Sequence, residues 1–185
     1  MPRILVPLAS GALLLLSCQA GGAARCRTEA ELSPALTPVQ LSREAVACAR
    51  QGDWNQASLL FGVAQTFSLY DARVEERAAA AVRQGWPGPM LPTLILRDGL
   101  DPGQMPRLQE AIRSLADEPV RHRQLCDLLR RIGPPTYSPE YRVDEHWQVH
   151  GSTSAANGRG LQPALGAWEE VLSGPVDCAA QTGPG

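Results

Sequence analysis

Arg50-Gln51-Gly52-Asp53-Trp54-Asn55-Gln56-Ala57 carries the end of one helix and the start of the next. Glycine followed by aspartate stops one helix and starts another. Gly52 suits the position just past a helix end, where the backbone turns left-handed. Asp53 then serves as N-cap, with Gln56 three residues on in the pattern of a capping box. Upstream, Thr37-Pro38-Val39-Gln40 is the matching start of the first helix. Thr37 caps the amide of Gln40, and Gln40 reaches back. Pro38 stands at the first helical position, where its missing N–H is not needed. Leu36 and Leu41 occupy the positions of a hydrophobic staple. Downstream, Ala57, Leu60, Phe61, Ala64 and Phe67 fall on one helical stripe. The chain therefore opens its folded body with a helical hairpin.

The same residues resemble the centre of a tetratricopeptide repeat. Gly52 takes the small position at the turn. Trp54, Ala57, Phe61 and Ala64 take the packing positions of the second helix, and Ala45 the small position of the first. Arg50-Gln51-Gly52 recurs as Arg83-Gln84-Gly85, an offset of 33 residues, close to the length of that repeat. The resemblance implies stacked helical hairpins and a protein-binding role. It departs from the family at Leu69, where the repeat-ending proline is missing, and at Trp86-Pro87-Gly88-Pro89, which blocks a matching second helix.

Farther along, Ala72 to Gln84 is expected as a third helix, with Glu75 and Glu76 at its start favourable to the dipole. Met90 to Arg97 is apolar and expected as short helix or coil. Asp101-Pro102-Gly103-Gln104 repeats the capping pattern ahead of a stripe at Met105, Leu108, Ala111, Ile112 and Leu115. Asp117-Glu118-Pro119 opens another helix, with Val120, Leu125, Leu128, Leu129 and Ile132 as its apolar set. Gly133-Pro134-Pro135 ends it. Arg121, His122, Arg123, Arg130 and Arg131 lie along that helix. They read as a solvated face or, more sharply, as a dock for an acidic partner or lipid headgroups. Leu161 to Ser173 is a last amphipathic helix, closed by Gly174-Pro175. The fold class is all-α: helical hairpins with an irregular, disulfide-stapled C-terminal third.

At the other end of the chain, Met1-Pro2-Arg3 and the apolar run Ile4 to Leu16 have the layout of an export signal. The run is shorter than the roughly 20 residues a membrane span needs. Leu15-Leu16-Ser17-Cys18 resembles the lipobox of bacterial lipoproteins. The resemblance implies cleavage before Cys18, a diacylglyceryl thioether on its sulfur and acylation of its amine. Several acyl chains, at about 0.8 kcal/mol per buried CH₂, hold a protein to a membrane almost permanently. Gln19, rather than an aspartate, follows the cysteine and favours the outer membrane, on its periplasmic side. Ordinary cleavage near Ala20 or Ala23 is the alternative and would release a secreted or soluble periplasmic protein. The expected organisation is a leader over 1–17, a tether over 18–35, one α-helical domain over 36–178 and a disordered tail over 179–185.

With Cys18 set aside, Cys26, Cys48, Cys126 and Cys178 remain. An even count in an exported chain reads as two disulfides. Of the three possible connectivities, Cys26–Cys48 with Cys126–Cys178 is favoured, each tying an irregular end to a helix. Free buried thiols are the alternative, and the spacing is poor for a metal.

Composition narrows the function classes. The net charge of −2 argues against nucleic-acid binding, which calls for a basic surface. All 17 basic residues are Arg, so no Lys is present, which removes P-loop and Schiff-base chemistry. No cofactor is expected. His146 and His150 would share a face on a helix, as a two-histidine metal pair requires. On a strand they would stand about 13 Å apart, too far to share a metal. They are weak metal candidates, and no catalytic residue is expected. Tyr137, Tyr141, Trp147 and His150 are the candidate contact surface for an envelope protein partner, with the Ser152–Gly160 loop beside them. The reading is a membrane-anchored, non-catalytic interaction or scaffold module. The alternative is a metal-dependent envelope hydrolase centred on His146 and His150.

Overall fold

A computed structural model of the 185-residue chain describes residues 24–74, 90–137, 142–143, 149–150 and 165–178. Six α-helices carry the fold among them: α1 (Pro38–Arg50), α2 (Trp54–Val74), α3 (Leu91–Gly99), α4 (Met105–Asp117), α5 (Pro119–Ile132) and α6 (Leu165–Ser173). A short antiparallel hairpin joins β1 (Arg142–Val143) to β2 (Val149–His150), with Arg142 opposite His150.

The α1 start forms as its sequence dictates. Thr37 Oγ1 accepts the Gln40 amide at 3.3 Å, and the Thr37 amide donates to Gln40 Oε1 at 2.9 Å. Gly52 turns the chain at φ +83°, a conformation that costs other residues about 1 kcal/mol or more. The Gln56 amide then donates to Asp53 Oδ1 at 3.0 Å, starting α2.

From there α2 runs unbroken through residues 69–74. The third helix expected from Ala72 instead begins as the tail of α2; its remainder, 75–84, lies outside the described residues. Nothing between Leu69 and Val74 breaks a helix, so the α2 hydrogen-bond ladder simply continues. α4 starts at Met105, with no side-chain cap at its N-terminus. Asp101 forms a turn there instead, its carbonyl accepting the Gln104 amide at 2.8 Å.

α2 is the hub, packing against α1, α3, α4, α5 and α6. Leu41, Leu60, Val63, Phe67, Leu91, Leu108, Leu128, Leu129 and Val171 are fully buried around it. Phe67 meets Tyr137 and Trp168 at ring-centroid distances of 6.2 and 6.0 Å, and Tyr70 meets Trp168 edge-on at 5.8 Å. These aromatic contacts seat α6 on α2. Val120, expected inside, is 70% exposed. It lies in the first turn of α5, beyond the reach of the neighbouring helices' packing.

Two disulfides staple the ends: Cys26–Cys48 fastens the N-terminal segment to α1, and Cys126–Cys178 fastens the C-terminal segment to α5. Residues 24–35, expected as part of a tether, are drawn onto the body by more than their disulfide. Arg27 grips Glu44 with two bonds of 2.7 Å, and the Arg27 carbonyl accepts from Gln56 Nε2 at 2.7 Å. Glu29 accepts from Gln124 at 2.6 Å, and the Thr136 amide donates to the Pro34 carbonyl at 2.8 Å. The folded body thus includes residues ahead of the expected start at 36.

Candidate functional site

Tyr137 is a core residue and not a contact residue. It is 5% exposed, and its hydroxyl donates to both carboxylate oxygens of Asp71, at 3.0 and 2.9 Å. Burying a carboxylate on α2 requires a donor, and the phenol supplies one from the loop after α5. Tyr141, His146 and Trp147 lie outside the described residues, as does Cys18. His150 is described by its backbone alone, in β2. Its extended conformation removes the arrangement in which His146 and His150 share one helical face. No cluster of three or more His, Cys, Asp or Glu able to hold a metal occurs among the described residues.

Part of the basic row on α5 turns inward. Arg121 donates to Ser114 and Ser58, both at 3.0 Å, bridging α4, α5 and α2. His122 Nε2 lies 2.8 Å from the Val176 carbonyl, and Arg130 donates to the Cys178 carbonyl at 2.7 Å. His122, Cys126 and Arg130 are four apart in series, so they form one stripe. That stripe holds residues 176–178 along α5. Arg131 pairs with Glu29 at 3.6 Å. These groups hold Glu29 and residues 176–178 against α5; Arg123, Arg130 and Arg131 remain exposed, in keeping with the solvated face expected there, while Arg121 and His122 turn partly inward.

A cleft of about 470 Å³ opens between α1 and α3. Arg43, Val46, Ala47 and Arg50 line it from α1, Gln51 from the turn after it, and Ile95, Asp98 and Gly99 from α3; Ala24 lines it from the N-terminal segment. The two helices come close because residue 99 has no side chain. A Cβ there would sit 2.8 Å from a Val46 methyl. Arg50 donates to the Gly99 carbonyl through Nε at 3.1 Å and Nη2 at 2.7 Å. It thereby meets the partial negative charge at the end of α3. The sequence reading missed this cleft: Arg50 stands in the stretch that ends the first helix, but nothing local ties it to Gly99, 49 positions on. The i, i+7 spacing of Arg43 and Arg50 was its only trace.

Two groups are shifted by their surroundings. The bidentate Glu44 carboxylate holds the Arg27 guanidinium above its ordinary pKa. The amide and hydroxyl of Thr28, bonded to the Glu31 carboxylate at 2.9 Å each, hold Glu31 below the usual glutamate range. The Arg27–Glu44 bonds tie the N-terminal segment to α1, and the Thr28–Glu31 bonds lie within that segment. No helix among the described residues is long and apolar enough to cross a membrane.

No protein-family model, no curated protein and no solved structure matches this chain.

Proposed function

We propose that this chain is a cell-envelope lipoprotein, held to the outer membrane by acyl chains on Cys18 and acting there as a non-catalytic protein-interaction module. The single observation that carries the reading is the cysteine pairing. Four of the five cysteines close two disulfides, and such pairs persist in oxidising compartments. The fifth, Cys18, is left at the end of an apolar leader, in the position where a lipobox cysteine is acylated.

The interaction role draws on the hairpin fold and its likeness to a tetratricopeptide repeat. With Tyr137 assigned to the core, the proposed contact segment narrows to Tyr141, Trp147 and His150, with the 152–160 loop. Crosslinking in the native envelope tests it. A discrete crosslinked partner, lost on Tyr141→Ala/Trp147→Ala, supports the module. Unchanged crosslinking in that variant moves the contact elsewhere on the molecule. Metabolic labelling with palmitate tests the anchor: label on the native chain and none on Cys18→Ala is expected, and equal label on both contradicts it.

A further inference from the structure

We infer that Cys126–Cys178 is a reversible thiol–disulfide exchange site, opened by a dithiol ahead of Cys26–Cys48. The inference goes beyond the anchor and the interaction role, and stands whether or not Cys18 is acylated. Its first support is a proton donor beside one sulfur. His122 Nε2 lies 2.8 Å from the Val176 carbonyl, which can only accept, so that nitrogen carries its hydrogen. The same nitrogen stands 4.0 Å from Cys126 Sγ. With the bridge closed, the carbonyl takes the N–H. With the bridge open, the Cys126 sulfur leaves as a thiolate, a far stronger acceptor than a disulfide sulfur, and competes for it. A neighbouring histidine favours the thiolate, and a stabilised thiolate leaves faster. Four residues before Cys48, in the place His122 holds before Cys126, stands Glu44, a carboxylate bonded to Arg27. It has no proton to offer a departing sulfur.

The second support is the docking of the other cysteine. The Cys178 amide donates to the Leu172 carbonyl at 2.7 Å, and the Cys178 carbonyl accepts from Arg130 at 2.7 Å. These bonds hold Cys178 between α6 and α5 when the bridge is open, so the two sulfurs stay placed to close again. Both cysteines are buried, but Gly174, Pro175 and Asp177 ahead of Cys178 are exposed. A lift of that segment bares Cys178, while Cys126 stays within α5. The exchange then runs in two steps. One thiolate of the dithiol attacks Cys178 Sγ, the S–S bond breaks, and Cys126 leaves with the electron pair. The second thiolate of the dithiol attacks the mixed disulfide, and Cys178 leaves. Two electrons pass to the protein, the dithiol's protons go to the cysteines or to water, and the dithiol ends as a disulfide. An oxidised dithiol runs the reverse.

Equilibrating the native chain in detergent with mixtures of reduced and oxidised dithiothreitol tests this, with acid trapping, alkylation and peptide mass mapping. Equilibrium is the reading to take, because Cys26 is the more exposed cysteine and rates alone favour its bridge. Cys126–Cys178 is expected to be half reduced at a dithiol-to-disulfide ratio about tenfold lower than Cys26–Cys48. The helical circular dichroism should persist as it opens, and oxidised dithiothreitol should restore the original peptide map. His122→Ala should remove the gap between the two bridges, and His122→Gln, which keeps an N–H, should retain most of it. Reduction of both bridges together, or of Cys26–Cys48 first, overturns the inference. So does loss of the helical signal as Cys126–Cys178 opens, or an unchanged gap in His122→Ala. Should His122→Ala fail to fold, the order of reduction in the native chain decides alone.

Discussion

Replacing Cys126 and Cys178 together by alanine should destabilise the protein more than replacing Cys26 and Cys48. The bridges close loops of 52 and 22 residues. Chain-entropy bookkeeping converts these to about 4 and about 3.4 kcal/mol at 25 °C. A body of this size has an unfolding entropy near 0.3 kcal/mol/K, so the larger loss lowers Tm by about 13 °C. The native geometry should survive the change. His122 still faces the Val176 carbonyl, and Arg130 still donates to the Cys178 carbonyl, so residues 176–178 remain on α5. The cost then falls on the unfolded state, which regains the freedom the bridge removed. Thermal unfolding followed by circular dichroism gives the comparison, with both double variants measured beside the wild type. A loss below about 1 kcal/mol for the Cys126–Cys178 pair refutes the loop argument. So does a markedly larger loss for the Cys26–Cys48 pair.

Three further outcomes follow from particular contacts. Arg27→Ala strands the 9% exposed Glu44 side chain without its bidentate partner, and urea unfolding should show a loss of about 3 kcal/mol; Arg27→Met/Glu44→Leu should restore most of it. Tyr137→Phe removes the hydroxyl that donates to both Asp71 oxygens, and should cost about 2 kcal/mol in the same assay. Gly99→Ala forces its new methyl onto Val46, for a loss of about 1–3 kcal/mol; adding Val46→Ala should relieve the clash, and equal losses in the single and double variants would show that α1 and α3 do not meet as described.

The helix starts were legible because their signals are local. Thr37 and Gln40, or Asp53 and Gln56, act within one turn. The disulfide pairing was legible because each irregular end had a helix available to hold it. What escaped the sequence depends on groups far apart along the chain. Tyr137 looks like an exposed loop aromatic until Asp71, 66 residues away, is seen accepting its hydroxyl. Arg121 looks like part of a solvated row until Ser58 comes under it. The docking of residues 24–35 hangs on Arg27 meeting Glu44 on α1. The cleft escaped for the same reason, since Arg50 reaches the Gly99 carbonyl from 49 positions back. Helix continuity failed more simply: α2 was cut short at Ala72 because the acidic pair behind it resembled a new helix start.

Export and oxidation underlie the role proposed for this chain, and one measurement addresses both. Intact-mass spectrometry of the chain from its native envelope, alkylated in denaturant without reductant, reads the N-terminus and the thiols together. The expected product has its first residue at Cys18 carrying diacylglyceryl and acyl mass, with no alkylated cysteine. A chain that retains Met1, carries no lipid and takes up alkylating reagent at Cys26, Cys48, Cys126 and Cys178 would contradict it.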